Sequence, residues 1–366
     1  MPTVKFVDIG KQYLSIRQEI LDKFDEISKT GDYILSKEVT EFEENFAMYC
    51  GTKYAVSVGN GSDALYLSLL SLGIGPNDEV ITAPNSFVAT AWVIARTGAR
   101  IVFCDVGNDM NINPDLIESV ISERTKAILP VHLTGRVADM DRIQTIAEKH
   151  NLFVVEDAAQ AVGAVYKNKK AGSFGIGAGF SLHPLKNLHV HGDGGVVTTN
   201  NSSLYEKIIQ YRNHGLKNRD ECKFWGINTR LDAVHAGIGN IKLKYIDKWN
   251  NRYRKIARMY TENLNDYVKV PKERDYEKPV YHRYIICHLD RNKLQDFLAD
   301  SGIETKVNYP IPLHLQSAAK DLGYNKGDFP MAEKLADTIL SLPLYPELID
   351  DQINYVIEKI IEFCKK

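Results

Sequence analysis

The chain has 366 residues, 44% hydrophobic and 25% charged, with a formal net charge of −2. That composition suits a soluble globular protein of two domains, or of one large and one small domain. It offers no basic field for nucleic acid, and no apolar run reaches the length of a membrane span. The five cysteines (Cys50, Cys104, Cys222, Cys287 and Cys364) are scattered and never spaced as CxxC. This argues against a disulfide framework or a structural metal site and suits a reducing, cytoplasmic setting. The opening stretch MPTVKFVDIGKQYLS lacks a secretory apolar region.

Residues 11–29 and 37–50 read as helices, with apolar residues at three- and four-residue steps such as Ile16, Ile20, Phe24 and Ile27. A strand–helix rhythm follows. YAVSV predicts a strand and GNGSDALYLSLLSLG a glycine-led helix. DEVITAP predicts a strand and SFVATAWVIARTG a helix. ARIVFCDV, TKAILPVHL and LFVVEDAA are three further strands, separated by the helical NPDLIESVI and DMDRIQTIAEKH. Such alternation predicts an α/β fold whose mostly parallel sheet is covered on both faces, with ligands at the carboxyl edge of its strands. From RLDAVHAGIGNIKLKYIDKWNN onward the pattern becomes long helix leading into a smaller domain. That domain holds a strand in VYHRYIICHLD, helices near 291–301 and 331–339, and a last helix from about 350. The expected division is 1–245 for the large domain and 246–366 for the small one.

Four features fall at strand ends. Asn60-Gly61-Ser62 joins a strand to a helix, and its backbone N–H groups and the Ser62 hydroxyl could seat an anion. Asp157 closes an apolar strand, where a carboxylate must meet a cation or a donor; capping the next element would also satisfy it. Phe87 begins a helix and could stack on a flat ring or enter the core. Lys186 lies in FSLHPLKNLHVHGDGG between Pro184 and Asn187. Apolar, proline and glycine flanks desolvate it, and desolvation or a neighbouring cation frees the amine for attack on a carbonyl. Together these parts could hold pyridoxal 5′-phosphate. A nicotinamide-binding reading is weaker, since SVGNGSDAL does not fit GxGxxG.

The ordered motifs GDYILSKEVTEFEENFAMYCGTKYAVSVGNGSDAL, APNSFVATA, PVHLTGRVADMD, EDAAQAVGA, FSLHPLKNL, GDGGVVTTN, WGINTRLDAVHAGIGNIKL and YPIPLHLQ resemble the DegT/DnrJ/StrS-type sugar aminotransferases. The resemblance implies a fold-type I architecture with a mixed, mostly parallel seven-stranded sheet and a smaller α+β domain. It implies that Lys186 carries the cofactor aldehyde and shuttles the proton, that Asp157 pairs with the pyridine nitrogen, that Gln160 meets the ring hydroxyl, and that Phe87 stacks on the ring. Gly61, Ser62 and Ser181 would bind the phosphate. Asn228 would reach it from the partner subunit of a homodimer with shared sites. Tyr33, His183, His189, Arg230, Tyr309 and His314 are the substrate-side candidates. The implied reaction moves an amino group from L-glutamate, through the pyridoxamine form, to a keto or aldehyde sugar. That sugar is a nucleotide-linked 3- or 4-keto-6-deoxyhexose or another oxidised sugar, such as an 8-oxo octulosonate of lipopolysaccharide. Arg212, Lys217, Arg219 and Arg230 are candidate nucleotide contacts, and loops 31–35, 183–191 and 309–316 are candidate sugar walls. Relatives with histidine at the lysine position are dehydratases; the lysine here favours amino transfer. A non-catalytic regulator on the same fold is the alternative outside enzymes.

Overall fold

The structure is a computed structural model that describes residues 4–366. Seven strands form its main sheet: β1 (Tyr54–Val58), β2 (Glu79–Thr82), β3 (Arg100–Phe103), β4 (Thr125–Leu129), β5 (Phe153–Asp157), β6 (Gly177–Ser181) and β7 (Gly195–Thr199). Their spatial order is β1-β7-β6-β5-β4-β2-β3. Only β7 runs against its neighbours. The other six point one way, as the sequence rhythm predicts. β2, β6 and β7 are buried along their whole length. Strands buried at every position mark a sheet covered on both faces.

The covering helices explain the strands' composition. Helix Gly61–Ser71 lies hard against β6, where a Cβ on Gly179 would meet Leu65 Cδ2 at 2.6 Å. β6 is therefore a strand despite its weak propensity, because glycine lets the helix approach. Helices Val88–Thr97 and Met140–Lys149 provide crossovers between parallel strands.

The expected 11–29 helix is broken at Ile16 into Ile9–Ser15 and Arg17–Thr30. The long helical stretch after residue 230 is two helices, Ala233–Leu243 and Ile246–Leu264. The second helix links two apolar cores. Ile246 and Trp249 belong to the core around the large sheet, while Tyr253, Ile256 and Tyr260 belong to a second core. That second core also packs β8 (Tyr284–Cys287), which pairs with β9 (Ile339–Leu342). β9 falls where the sequence pattern places the end of a helix. The helix stops at Thr338, and the apolar ILSL that follows is extended.

Candidate active site

Because six strands share one direction, the segments leaving β1, β2, β4, β5 and β6 converge on the same edge of the sheet. They line a cavity of about 460 Å³ together with residues of the 282–285 and 308–309 segments.

At the end of β1, the Asn60 side chain caps the following helix by accepting from the Asp63 N–H at 2.8 Å. The free N–H groups of that helix start at Gly61 and Ser62, both in the cavity wall. A Cβ on Gly61 would sit 2.6 Å from Ser181 Cβ and 2.9 Å from Ser181 Cα. Glycine is thus what allows two strand ends to meet and form one anion-binding corner.

At the end of β5, Asp157 is 4% exposed. Its Oδ2 accepts from Thr90 Oγ1 at 2.7 Å, and its Oδ1 from the Ala159 N–H at 3.2 Å. Thr90 is itself held by Ser86 Oγ at 2.8 Å. Burial raises the Asp157 pKa; the donors Thr90 and Ala159, and then the charge of Lys186, oppose that rise. Sequence reading missed Thr90 and Ser86. Their signal is a pair of hydroxyls four residues apart around a helix start.

The adjoining Glu156 is fully buried and points away from the cavity. Its Oε2 accepts from the Gly172 N–H at 2.7 Å, and its Oε1 from the N–H groups of Phe174 and Gly175, both at 2.8 Å. His132 Nδ1 accepts from the Ala138 N–H at 3.2 Å. Its proton is therefore on Nε2, which donates to Glu156 at 2.9 Å.

Lys186 sits on a loop tied at both ends. Leu182 N–H donates to the Gly194 carbonyl at 2.8 Å, and Val190 N–H to the Leu182 carbonyl at 3.2 Å. The Asn187 side chain donates to Asn250 Oδ1 and the Val280 carbonyl, anchoring the lysine's neighbour below the cavity. Burial lowers the Lys186 pKa to about 8, with Asp157 pulling it back and Arg283 pushing it further down. A substantial free-amine fraction at neutral to mildly basic pH follows. Burial also lowers the pKa of His183.

Phe87 is the N-cap residue of helix Val88–Thr97 and remains 51% exposed, its ring centroid 5.7 Å from that of Tyr309. The cavity therefore carries an uncovered aromatic surface. Gln160 completes the wall, with Oε1 accepting from the Thr134 N–H at 2.7 Å.

The structure gathers Gly61, Ser62, Phe87, Asp157, Gln160, Ser181, His183, Lys186 and Tyr309 around one space. It does not bring the other candidates there. His189 is buried elsewhere, hydrogen-bonded to Gln12 Oε1 at 3.0 Å and to Lys242 Nζ at 2.8 Å. His314 is buried against Glu333 at 3.1 Å. Arg230 donates to Asn213 Oδ1 at 2.9 Å, while Tyr33 and Asn228 are exposed on the surface of this chain. Arg212, a candidate nucleotide contact, is a structural clamp: it is 7% exposed, pairs with Glu43 and donates to the Ser57 carbonyl at 2.8 Å. Arg283, which the sequence reading passed over, lines the cavity. Its signal is a lone cation beside the apolar run YIIC.

The parts fit pyridoxal 5′-phosphate on their own chemistry. There is a backbone-lined anion corner, a bare aromatic face, a buried carboxylate without an ion-pair partner among the described residues, and an amine with a depressed pKa. The profile of the DegT/DnrJ/EryC1/StrS aminotransferase family matches residues 14–361. The chain belongs to that family. A relative from Geobacillus stearothermophilus named a pleiotropic regulatory protein is 44% identical over 367 residues, 99% of each chain. The dTDP-3-amino-3,6-dideoxy-alpha-D-galactopyranose transaminase of Aneurinibacillus thermoaerophilus is 40% identical over 98% of each chain. Among solved structures, S. venezuelae DesV in complex with a ketimine intermediate superposes on this aminotransferase with a TM-score of 0.98, at 37% identity and over all of both chains. NtdA of Bacillus subtilis with bound cofactor PMP gives 0.95 at 30% identity, over all of this chain and 86% of that one.

Proposed function

We propose that this aminotransferase uses pyridoxal 5′-phosphate to move an amino group from L-glutamate to a keto sugar carried on a nucleotide, in amino-sugar biosynthesis. One observation carries the reading. Lys186 and Asp157 line a single cavity and feel each other's charge, yet make no ion pair. The gap between a half-buried amine and a buried carboxylate suits a ring that needs both. When bound, the cofactor supplies an electron sink for the bond-breaking at the substrate carbon.

This chain's residues do the rest. Gly61, Ser62 and Ser181 hold the phosphate at the helix start. Asp157, kept in place by Thr90 and Ala159, holds a proton on the ring nitrogen. Phe87 covers one ring face, and Gln160 orients the ring edge. Lys186 Nζ moves the proton at the reacting carbon, a contribution of roughly 10²–10⁴-fold. Its lowered pKa lets the same nitrogen both take up and release that proton near neutral pH.

The working unit in this reading is a homodimer with shared sites. Support comes from Asn228, which faces outward instead of into its own cavity, and from exposed apolar residues at Tyr33, Ile34, Leu35 and Trp225. No helix among the described residues is long and apolar enough to cross a membrane. A cytoplasmic enzyme feeding a surface polysaccharide or lipopolysaccharide is consistent with these features. The intact lysine and carboxylate favour catalysis over a purely regulatory role.

The test incubates purified protein with L-glutamate and a panel of nucleotide keto-sugars and sugar aldehydes, following product mass and 2-oxoglutarate release. Lys186→Ala should abolish both turnover and the visible absorbance of the bound cofactor. A fully active Lys186→Ala protein would end the proposal.

A further inference from the structure

Arg283 stands just before β8 in the wall of the cavity. Burial lowers its pKa from the ordinary arginine value, against the opposing influence of Tyr253 and Tyr309. Among the described residues no carboxylate lies within ion-pair distance of its guanidinium. Its guanidinium donates from Nη1 to the neighbouring His282 carbonyl at 3.0 Å. Its Cζ lies 5.0 Å from the centroid of the Phe6 ring. A ring over its face leaves the in-plane N–H groups, which are the ones that grip a carboxylate two at a time.

An unpaired cation out of bulk water is costly, so buried arginines ordinarily pair. Elsewhere Arg212 pairs with Glu43 and Arg136 with Glu277, and Arg291, buried without an ion pair, spends its guanidinium on the Ile339 and Ala336 carbonyls. Arg283 departs from the pairing rule at the cavity. Next to it, His282 is 5% exposed and also lines the cavity, and its Nδ1 has no hydrogen-bond partner among the described residues. Both belong to the segment that meets the β4 end, where the Arg283 N–H reaches the Thr134 carbonyl at 3.5 Å. The anion corner lies at the ends of β1 and β6 and is furnished by other residues. The cofactor phosphate therefore has its own seat and leaves Arg283 without an anion.

We propose that Arg283 is the receptor for a carboxylate on the bound substrate, an inference that rests on the transaminase reading above. A carboxylate can come from the amino-acid donor or from an acceptor sugar oxidised to a uronate, and the two half-reactions separate these sources.

The experiment compares wild-type holoenzyme with Arg283→Gln and Arg283→Lys, after thermal melts confirm folding. Calorimetry measures binding of maleate, an unreactive dicarboxylate. Single-turnover spectra follow the donor half-reaction with L-glutamate. The acceptor half-reaction is followed from the pyridoxamine form with a neutral 3-keto-6-deoxyhexose nucleotide and with a 3-keto-uronate nucleotide. Maleate binding should weaken about 10–100-fold in Arg283→Gln, the scale of a lost charge-assisted pair, and recover in part in Arg283→Lys. A matching loss with L-glutamate alone assigns the donor's carboxylate, and a loss with the uronate alone assigns the acceptor's. The neutral sugar should lose less than the carboxylate substrate that Arg283 receives. Unchanged maleate affinity, or equal losses in every arm including the neutral sugar, overturns the inference. If Arg283→Gln fails to fold, Arg283→Lys carries the test, because it keeps the charge but loses two-point contact; wild-type affinity for maleate in that variant is equally fatal. Absence of 2-oxoglutarate release by the wild type would instead sink the transaminase reading.

Discussion

Asp157→Asn separates a residue kept for chemistry from one kept for the fold. The side chain is 4% exposed, and burial raises its pKa. A carboxyl whose folded pKa exceeds its unfolded one holds extra protons in the fold between the two values. Stability therefore falls as pH rises through that window and stays reduced above it. Asparagine never ionises and escapes this penalty, which is about 1.4 kcal/mol for each unit of raised pKa. The hydrogen bonds survive the exchange. The amide oxygen can still accept from Ala159, and the new N–H can donate to Thr90 Oγ1, whose hydroxyl then turns toward Ser86. The most that is lost is about 1 kcal/mol, one neutral hydrogen bond. Cofactor-free Asp157→Asn should thus lose no more than about 1 kcal/mol at pH 7, and its stability relative to wild type should fall toward pH 5. Turnover should behave oppositely. A charge pair about 4 Å apart at an effective dielectric of about 20 is worth about 4 kcal/mol, or about 10³-fold in rate. Urea unfolding of the cofactor-free proteins at both pH values, alongside glutamate-dependent 2-oxoglutarate release, measures the two effects. A variant that loses more than about 2 kcal/mol at pH 7, or that keeps near wild-type turnover, would refute the reasoning.

Two further outcomes follow from the same geometry. Gly61→Ala places a methyl group 2.6 Å from Ser181 Cβ; it should cost about 1–3 kcal/mol by overpacking and weaken cofactor retention, read from thermal midpoints and calorimetric affinity. Lys242 is fully buried, and burial lowers its pKa to about 7, with Glu347 opposing. The unfolded chain then binds the extra proton between about pH 7 and 10, so stability should climb with pH there, at up to about 1.4 kcal/mol per unit. Lys242→Met should flatten that climb and exceed wild type most clearly at and below pH 7; parallel urea-stability profiles for the two proteins would contradict it.

The sequence exposed the parts of the fold that local pattern controls. Strands such as YAVSV and LFVVED are short, mostly apolar and rich in valine, and their ends are where Asp157 and the Asn60–Ser62 turn emerge. GAGFS was harder to read as a strand, because its glycines answer to a helix that packs on it from far along the chain. ILSL at 339–342 follows a helix without a break in hydrophobicity, and its pairing with β8 is a long-range fact. The site divides in the same way. Gly61, Phe87, Asp157 and Lys186 are legible because each sits at a strand exit or a constrained turn. His189 and His314 look reactive by residue type, yet the fold buries each and gives it a partner away from the cavity. Arg283 and Thr90 were illegible because their meaning depends on what stands opposite them, which no local window contains.

Glu156 and Asp157 are chain neighbours that the pleat of β5 sends to opposite sides. A one-residue slip of that strand would exchange them, presenting the wrong acid to the cofactor space and driving Asp157 among the amides of Gly172, Phe174 and Gly175. Those three main-chain donors fit Glu156 and hold the strand at its proper setting. They belong to the backbone, so most side-chain substitutions at 173 and 174 leave them untouched. The correct placement of the reactive acid is thereby held by main-chain atoms that never meet a substrate.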